Sequence, residues 1–132
     1  MKLIFYDDYL DDIGDRIFVY GSNWCGRHGA GAALTARLKY GAIYGKPLGR
    51  QGRAFAIPTK DYFIQNMTLD QIEPNVDIFK DYVKANPKLS FYVTPLGTGL
   101  AGHSHKDIAL MFKGDYGMES CMFYRAWEPY LI

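Results

Sequence analysis

Apolar residues along the chain fall into five short runs that are separated by polar, glycine-rich segments. The runs are rich in β-branched and aromatic residues, which favour strands. They cover residues 2–6, 17–20, 53–58, 89–94 and 120–124. The run at 17–20 breaks at a Gly-Ser-Asn sequence, so the strand is expected to end at Tyr20.

Helical patterns lie between these runs. An alanine- and leucine-containing segment that begins near Ala30 has good helix propensity. A second helix is predicted to begin at Thr68, which forms a capping-box pattern with Gln71, and to end at Asn86 and Pro87. Its apolar positions at helical spacing are Val76, Phe79, Tyr82 and Val83.

Strands and helices alternate along most of the chain, which predicts a layered α/β domain over residues 1–132 with a mixed or mainly parallel sheet. Pro74 falls early in the second helical segment and predicts a separate turn before the main helix. Residues 106–112 predict a third helix that is capped by Ser104. Residues 40–52 are punctuated by glycine and predict irregular structure.

Two glycine-rich loops directly follow two of the predicted strands, one at residues 21–31 and the other at 97–102. A loop of this kind before a helix presents backbone N–H groups that suit a phosphate. The spacing matches neither GxGxxG nor GxxxxGK[ST]. Because ligands of α/β sheets bind beyond the carboxyl ends of strands, we expect both loops at one edge of the sheet, facing a diphosphate.

Composition limits the classes of partner. The chain has 132 residues, 48% hydrophobic and 22% charged, which is normal for a globular domain. A net charge of +1 gives no attraction to bulk nucleic acid or anionic membranes. No apolar run approaches the roughly 18 residues of a membrane span, and two cysteines make no disulfide framework. We expect a cytoplasmic protein with no cofactor and no bound metal.

The residues with candidate chemistry cluster around the loops. Asn23 follows the first strand, where its amide either closes an Asx turn or binds a ligand. His28 and His103 are candidates for acid–base chemistry near neutral pH or are simple surface histidines. With Cys25 and His105 they could supply zinc ligands, but their spacing does not match usual structural sites.

Charged residues near strand ends leave two alternatives open. Lys60 and Asp61 follow the third predicted strand and either reach the site or form a solvated pair. The five aspartates of residues 7–15 do not fit a calcium-loop pattern and predict a solvated loop.

Two ordered motifs resemble the macrodomain family. VYGSN, followed by a G-x-x-G-x-G loop and an alanine-rich helix, is similar to the first macrodomain loop. FYVTPLGTGLAG is similar to the second loop, and RAFAIPTKD stands where the family has an intervening strand. The order of elements matches from about residue 17 to residue 124. The resemblance implies a three-layer α/β/α fold with a mixed central sheet.

The resemblance also implies a ligand, which is ADP-ribose or a related ADP-ribose-containing nucleotide, free or attached to an ADP-ribosylated macromolecule. It places Asn23 near the distal ribose and one phosphate on each loop. An aromatic residue after the last strand, among Phe123, Tyr124 and Trp127, would pack on the adenine or ribose. The implied binding residues are Gly21, Ser22, Asn23, Gly26, Gly29, Ala30, Gly31, Ala32, Gly97, Thr98, Gly99, Leu100, Ala101 and Tyr124.

Catalysis is a separate question. The glycohydrolase branches of the family carry an acidic residue after one of the two loops, where this chain has Ala32-Ala33-Leu34 and Ala101. Other members remove the phosphate of ADP-ribose 1''-phosphate, and Asn23, His28 and His103 are the candidate catalytic residues for that reaction. The sequence therefore favours binding. The alternatives are a hydrolase on the same scaffold and a non-nucleotide α/β interaction domain.

Overall fold

A six-stranded sheet forms the centre of the computed structural model, which describes residues 2–132. Its strands are β1 (Ile4–Tyr6), β2 (Ile17–Asn23), β3 (Gly49–Gln51), β4 (Ala54–Lys60), β5 (Phe91–Val93) and β6 (Cys121–Tyr124). The spatial order is β1-β6-β5-β2-β4-β3. Five neighbouring strands, β1, β6, β5, β2 and β4, run parallel to one another, and the edge strand β3 is antiparallel to β4. The sheet is therefore mixed, as predicted.

Four α-helices cover the sheet: α1 (Gly31–Lys39), α2 (Leu69–Ala85), α3 (His105–Phe112) and α4 (Glu128–Leu131). The capping box of α2 is present, because the Gln71 N–H donates to the Thr68 hydroxyl and the Thr68 N–H donates to the Gln71 side chain. At α3, the Ser104 hydroxyl accepts from the Asp107 N–H. Both predicted helix starts are confirmed. No helix within residues 2–132 is long and apolar enough to cross a bilayer.

Side chains alternate across the sheet and give it two cores. In β2, Ile17 and Val19 point to the face that packs against α2 and α3, while Phe18 and Tyr20 point to the face covered by α1. Phe79 of α2 is fully buried in the first core. Apolar burial on both faces produces the three layers that the resemblance implies.

The structure corrects where β2 ends. The strand runs on through Gly21 and Ser22 to Asn23 instead of stopping at Tyr20. Gly21 pairs with Ile57 and Ser22 pairs with Pro58 of the neighbouring strand. Because β2 lies inside the sheet, pairing with its neighbours outweighs the weak strand preference of glycine and serine.

Two other regions differ from the sequence predictions. Pro74 lies within one continuous α2, because burial of Ile72, Val76 and Phe79 on both sides of it outweighs the main-chain hydrogen bond that proline removes. Residues 49–51, predicted irregular, form the edge strand β3, and the turn into β4 uses Gly52 at a φ of 57°. Residues 128–131, for which the sequence pattern predicts no element, form the short helix α4. Elements of three or four residues are too short to show a period.

Candidate functional site

A cleft of about 510 Å³ opens at the carboxyl ends of β2, β4 and β5. Both glycine-rich loops line it, the first through residues 29–33 and the second through residues 95–101. The strand ends contribute residues 21–23 and 59–60 to its floor. The topology therefore brings together two loops that are far apart in the sequence.

The first loop meets the cleft at the start of α1. Ala30 is the N-cap residue and makes no side-chain capping bond, although alanine is among the poorest residues at that position. The N–H groups of Gly31, Ala32 and Ala33 have no acceptor within residues 2–132. An uncapped helix start with free donors is a favourable place for an anion.

The second loop is a tight turn held by its own backbone. The Thr98 N–H donates to the Pro95 carbonyl, and the Gly102 N–H donates to the Gly99 carbonyl. The N–H groups of Gly99, Leu100 and Ala101 are not used by any acceptor in the described chain. They form a second set of donors at the cleft.

Glycine is required at Gly97 in this turn. Its φ is 78°, and an added Cβ would lie 2.9 Å from Ile108 Cδ1. Gly99 is different, because an added Cβ there would meet no atom within 4 Å. The second loop thus has one glycine fixed by packing and one that borders open space.

The charge of the cleft is positive. Arg27 and Lys60 line it, and the lining contains no aspartate or glutamate. Lys60 forms no ion pair within residues 2–132. The Asp61 carboxylate instead accepts the N–H groups of Phe63 and Gln65. Of the two alternatives for Lys60, the structure favours a position at the site.

Asn23 lines the cleft and also shapes the first loop. Its Oδ1 accepts from the Arg27 N–H at 2.9 Å and lies 2.9 Å from Cys25 Sγ, and its Nδ2 donates to the Arg27 carbonyl at 2.9 Å. Gly26 within this turn has a φ of 73°, and an added Cβ would lie 2.5 Å from the backbone carbon of Gly45. The turn is therefore closed by one amide and one close backbone contact.

The histidines lie away from the cleft lining. His28 is fully buried beside Tyr20, and the His103 Nε2 is 2.7 Å from the Met67 carbonyl. His105 Nδ1 accepts from the indole N–H of Trp127 at 3.0 Å. Within residues 2–132 no three histidine, cysteine or acidic side chains come close enough to hold a metal ion.

The aromatic residue in the cleft is Tyr9, which the sequence patterns do not single out. Phe123 and Trp127 are fully buried, and Tyr124 is half-buried with its ring 5.6 Å from that of Tyr6. Tyr9 is 68% exposed and lies 6.3 Å from the same Tyr6 ring. The sequence signal that could have indicated Tyr9 is its position just after β1. Because β1 is parallel to β6, it ends at the same edge of the sheet as the strands that form the cleft.

A second, shallower cavity of about 410 Å³ adjoins the first. Ile64 and Arg27 line both cavities. Ile64 has a φ of 62°, which is unusual for a β-branched residue. The turn that Asp61 organises holds Tyr62 and Phe63 at the outer wall.

No protein-family model and no curated protein matches this sequence. Two solved structures are similar in fold. The macrodomain of Mycobacterium tuberculosis DarG has a TM-score of 0.71 and 18% identity, with 93% of this chain and 98% of that chain covered. A protein of unknown function from Bacteroides thetaiotaomicron has a TM-score of 0.62 and 15% identity, with 94% and 98% covered. The chain therefore has a macrodomain-like α/β fold, which confirms the fold that its two motifs imply.

Proposed function

We propose that this chain binds ADP-ribose or a related ADP-ribose-containing nucleotide in the cleft. The observation that carries the proposal is the pair of facing loops, each with three backbone N–H groups that lack a protein acceptor. Two such donor sets match the two phosphates of a diphosphate. The macrodomain-like fold supports this class of ligand, because the cleft lies at the carboxyl ends of parallel strands, where α/β proteins bind nucleotides.

The surroundings of the two donor sets support the same ligand. A cleft of about 510 Å³ is within the usual range of small-molecule sites. Arg27 and Lys60 supply positive charge without a competing carboxylate. Backbone donors that are already oriented bind an anion without any cost of reorganising side chains.

The two ends of the nucleotide would meet different side chains. Tyr9 offers an exposed ring for stacking on the adenine, and Tyr124 lies behind it against Tyr6. Asn23 and Lys60 lie at the strand ends and would contact the distal ribose.

Binding is favoured over hydrolysis because the cleft lining contains no carboxylate and no imidazole. These are the commonest general acids and bases. Under this proposal the protein recognises ADP-ribose, free or on an ADP-ribosylated macromolecule, without consuming it. Incubation with ADP-ribose 1''-phosphate should release no inorganic phosphate.

Isothermal titration calorimetry with ADP-ribose, with AMP and NAD as controls, tests the proposal. We expect micromolar binding of ADP-ribose and weaker binding of both controls. Gly99→Glu places a negative side chain in open space between the donors and should weaken binding by at least about tenfold. Gly114→Glu, at the far end of α3, makes the same change of charge away from the cleft.

The fold of both variants is checked by circular dichroism and thermal unfolding. Gly114→Glu should bind like the unmodified chain. The proposal fails if the folded, unmodified protein gives no heat with ADP-ribose, or if Gly99→Glu binds it as tightly as Gly114→Glu does.

A further inference from the structure

The first loop is tied to the body of the protein by a buried histidine. His28 has no exposed surface, its Nε2 lies 3.3 Å from the Tyr20 hydroxyl, and its ring meets those of Tyr20 and Tyr44 edge-on. Of residues 27–35, only His28 is buried. The side chain of His28 therefore fixes the position of the loop just before its donors.

The other nitrogen of the ring has no partner. His28 Nδ1 is buried and makes no hydrogen bond within residues 2–132. A buried polar atom without a partner lowers stability, and protonation of the ring would make Nδ1 a buried N–H of a charged group with no acceptor. The geometry thus suits the neutral ring, in which Nε2 shares a hydrogen bond with the Tyr20 hydroxyl.

Within residues 2–132, the charged group that acts on the His28 ring is a cation, so no negative charge stabilises the protonated form. The titratable or charged groups that face His28 are the phenols of Tyr20 on β2 and Tyr44 in the segment before β3, and the guanidinium of Arg37 on α1. Arg37 lies over the Tyr44 ring, 5.8 Å from its centre. Burial lowers the pKa of His28, and the positive charge of Arg37 lowers it further.

Release of His28 would move the donors of the site. His28 directly precedes Gly29, Ala30 and Gly31. These three residues are exposed, and an added Cβ at Gly29 or Gly31 would meet no atom within 4 Å. Within residues 2–132, the next residues along the segment that pack against the core are Ala32 and Ala33, at the start of α1.

We propose that neutral His28 anchors the first loop in its binding conformation, and that protonation of His28 releases residues 27–31 and weakens binding of the anionic nucleotide. The part of this proposal that concerns the nucleotide rests on the proposed function. The part that concerns the loop does not, because the contacts of His28 exist without a ligand.

The direction of the pH effect follows from the two states of the loop. In the released loop the imidazole is exposed and takes a proton near its ordinary pKa of about 6.5. In the anchored loop it takes one only at lower pH. The released state therefore binds more protons, and its population rises by up to about tenfold per pH unit as the pH falls below about 6.5. At pH 7.5 both states are neutral and the anchored loop prevails.

Calorimetry with ADP-ribose from pH 7.5 to pH 5.5 tests the coupling. We expect the affinity of the unmodified chain to fall over this range, by at most about tenfold. His28→Gln keeps a polar group toward Tyr20 but cannot be protonated, so its affinity should be independent of pH. His105→Gln is the matched control, because it removes a histidine of the second loop region that is bonded to Trp127, and it should keep the pH dependence.

NMR of the ligand-free chain tests the loop independently of binding. The His28 ring should titrate with a midpoint below the ordinary histidine value of about 6.5. The amide chemical shifts of Gly29 and Gly31 should change with the same midpoint. Amide shifts that do not follow the titration of His28 overturn the proposal, as does a decrease in affinity that persists in His28→Gln. If the amide shifts follow His28 while ADP-ribose never binds, the anchor stands and the proposed function fails.

Discussion

The two glycine-rich loops present similar sets of backbone donors but are held in place by different means. The first loop has main-chain bonds at Gly26, but it also depends on two side chains, since Asn23 closes its turn and His28 fixes its end. The second loop depends on main-chain bonds and on Gly97 packed against Ile108. The first loop can therefore respond to protonation or to substitution of one side chain. The second is a rigid turn with no titratable group of its own.

Gly26→Ala should have the largest effect on stability. Its added Cβ would lie 2.5 Å from the Gly45 backbone, and the residue has a φ of 73°. Backbone overlap and a left-handed conformation together should lower the free energy of unfolding by about 2–4 kcal/mol. Chemical denaturation measures the change.

Gly29→Ala in the same loop is the control for Gly26→Ala, because its Cβ meets no atom within 4 Å. It should change stability by less than about 0.5 kcal/mol. Equal stabilities of the two variants would show that the contact between Gly26 and Gly45 does not hold the loop.

Asn23→Ala should have an intermediate effect on the free energy of unfolding. It tests whether side-chain bonds hold the first loop. It removes the acceptor of the Arg27 N–H and the donor to the Arg27 carbonyl, which should cost about 1–2 kcal/mol and weaken ADP-ribose binding severalfold. Thermal unfolding and calorimetry measure the two effects.

Thr98→Val provides the comparison in the second loop. It removes only the hydroxyl bond to the Pro95 carbonyl, while the turn keeps its main-chain bonds. We expect a loss of less than about 1 kcal/mol. A larger loss than in Asn23→Ala would contradict the distinction between a side-chain-held loop and a backbone-held loop.

Lys60→Gln should have the smallest effect on the stability of the protein, and it should weaken the binding of ADP-ribose. Lys60 is half-buried at the end of β4 and forms no ion pair within residues 2–132, so stability should change little. Affinity for ADP-ribose should fall by about threefold to tenfold at low salt, because the charge acts on the ligand. The difference from the unmodified chain should shrink in 0.5 M salt. Lys88→Gln, in the turn before β5, is the control and should leave affinity unchanged.

The parts of the fold that sequence predicts well are those with local signals. The α2 helix shows a capping box and an apolar stripe within its own residues, and both are present. The edge strand β3 carries no such signal, because three residues show no period and their strand form depends on pairing with β4. Local patterns also place the two loops after β2 and β5, and the parallel sheet brings them to one cleft.

Side-chain positions at the site depend on contacts that no local pattern contains. His28 stands in a glycine-rich loop, where an exposed side chain is expected, yet Tyr20 and Tyr44 bury it. Tyr9 reaches the cleft because β1 lies beside β6 at one edge of the sheet. β6 and β5 separate it from β2, the next strand in the sequence. The position of Tyr9 follows from sheet order, and that of His28 from packing between β2 and the segment before β3.

Amide chemical shifts recorded during titration with ADP-ribose test most directly whether both loops hold the ligand. The account predicts shifts in two separate groups, residues 29–33 and residues 97–101, that saturate together at one affinity. Shifts at only one loop, or shifts centred outside the cleft, would contradict the account of a diphosphate held between the two loops.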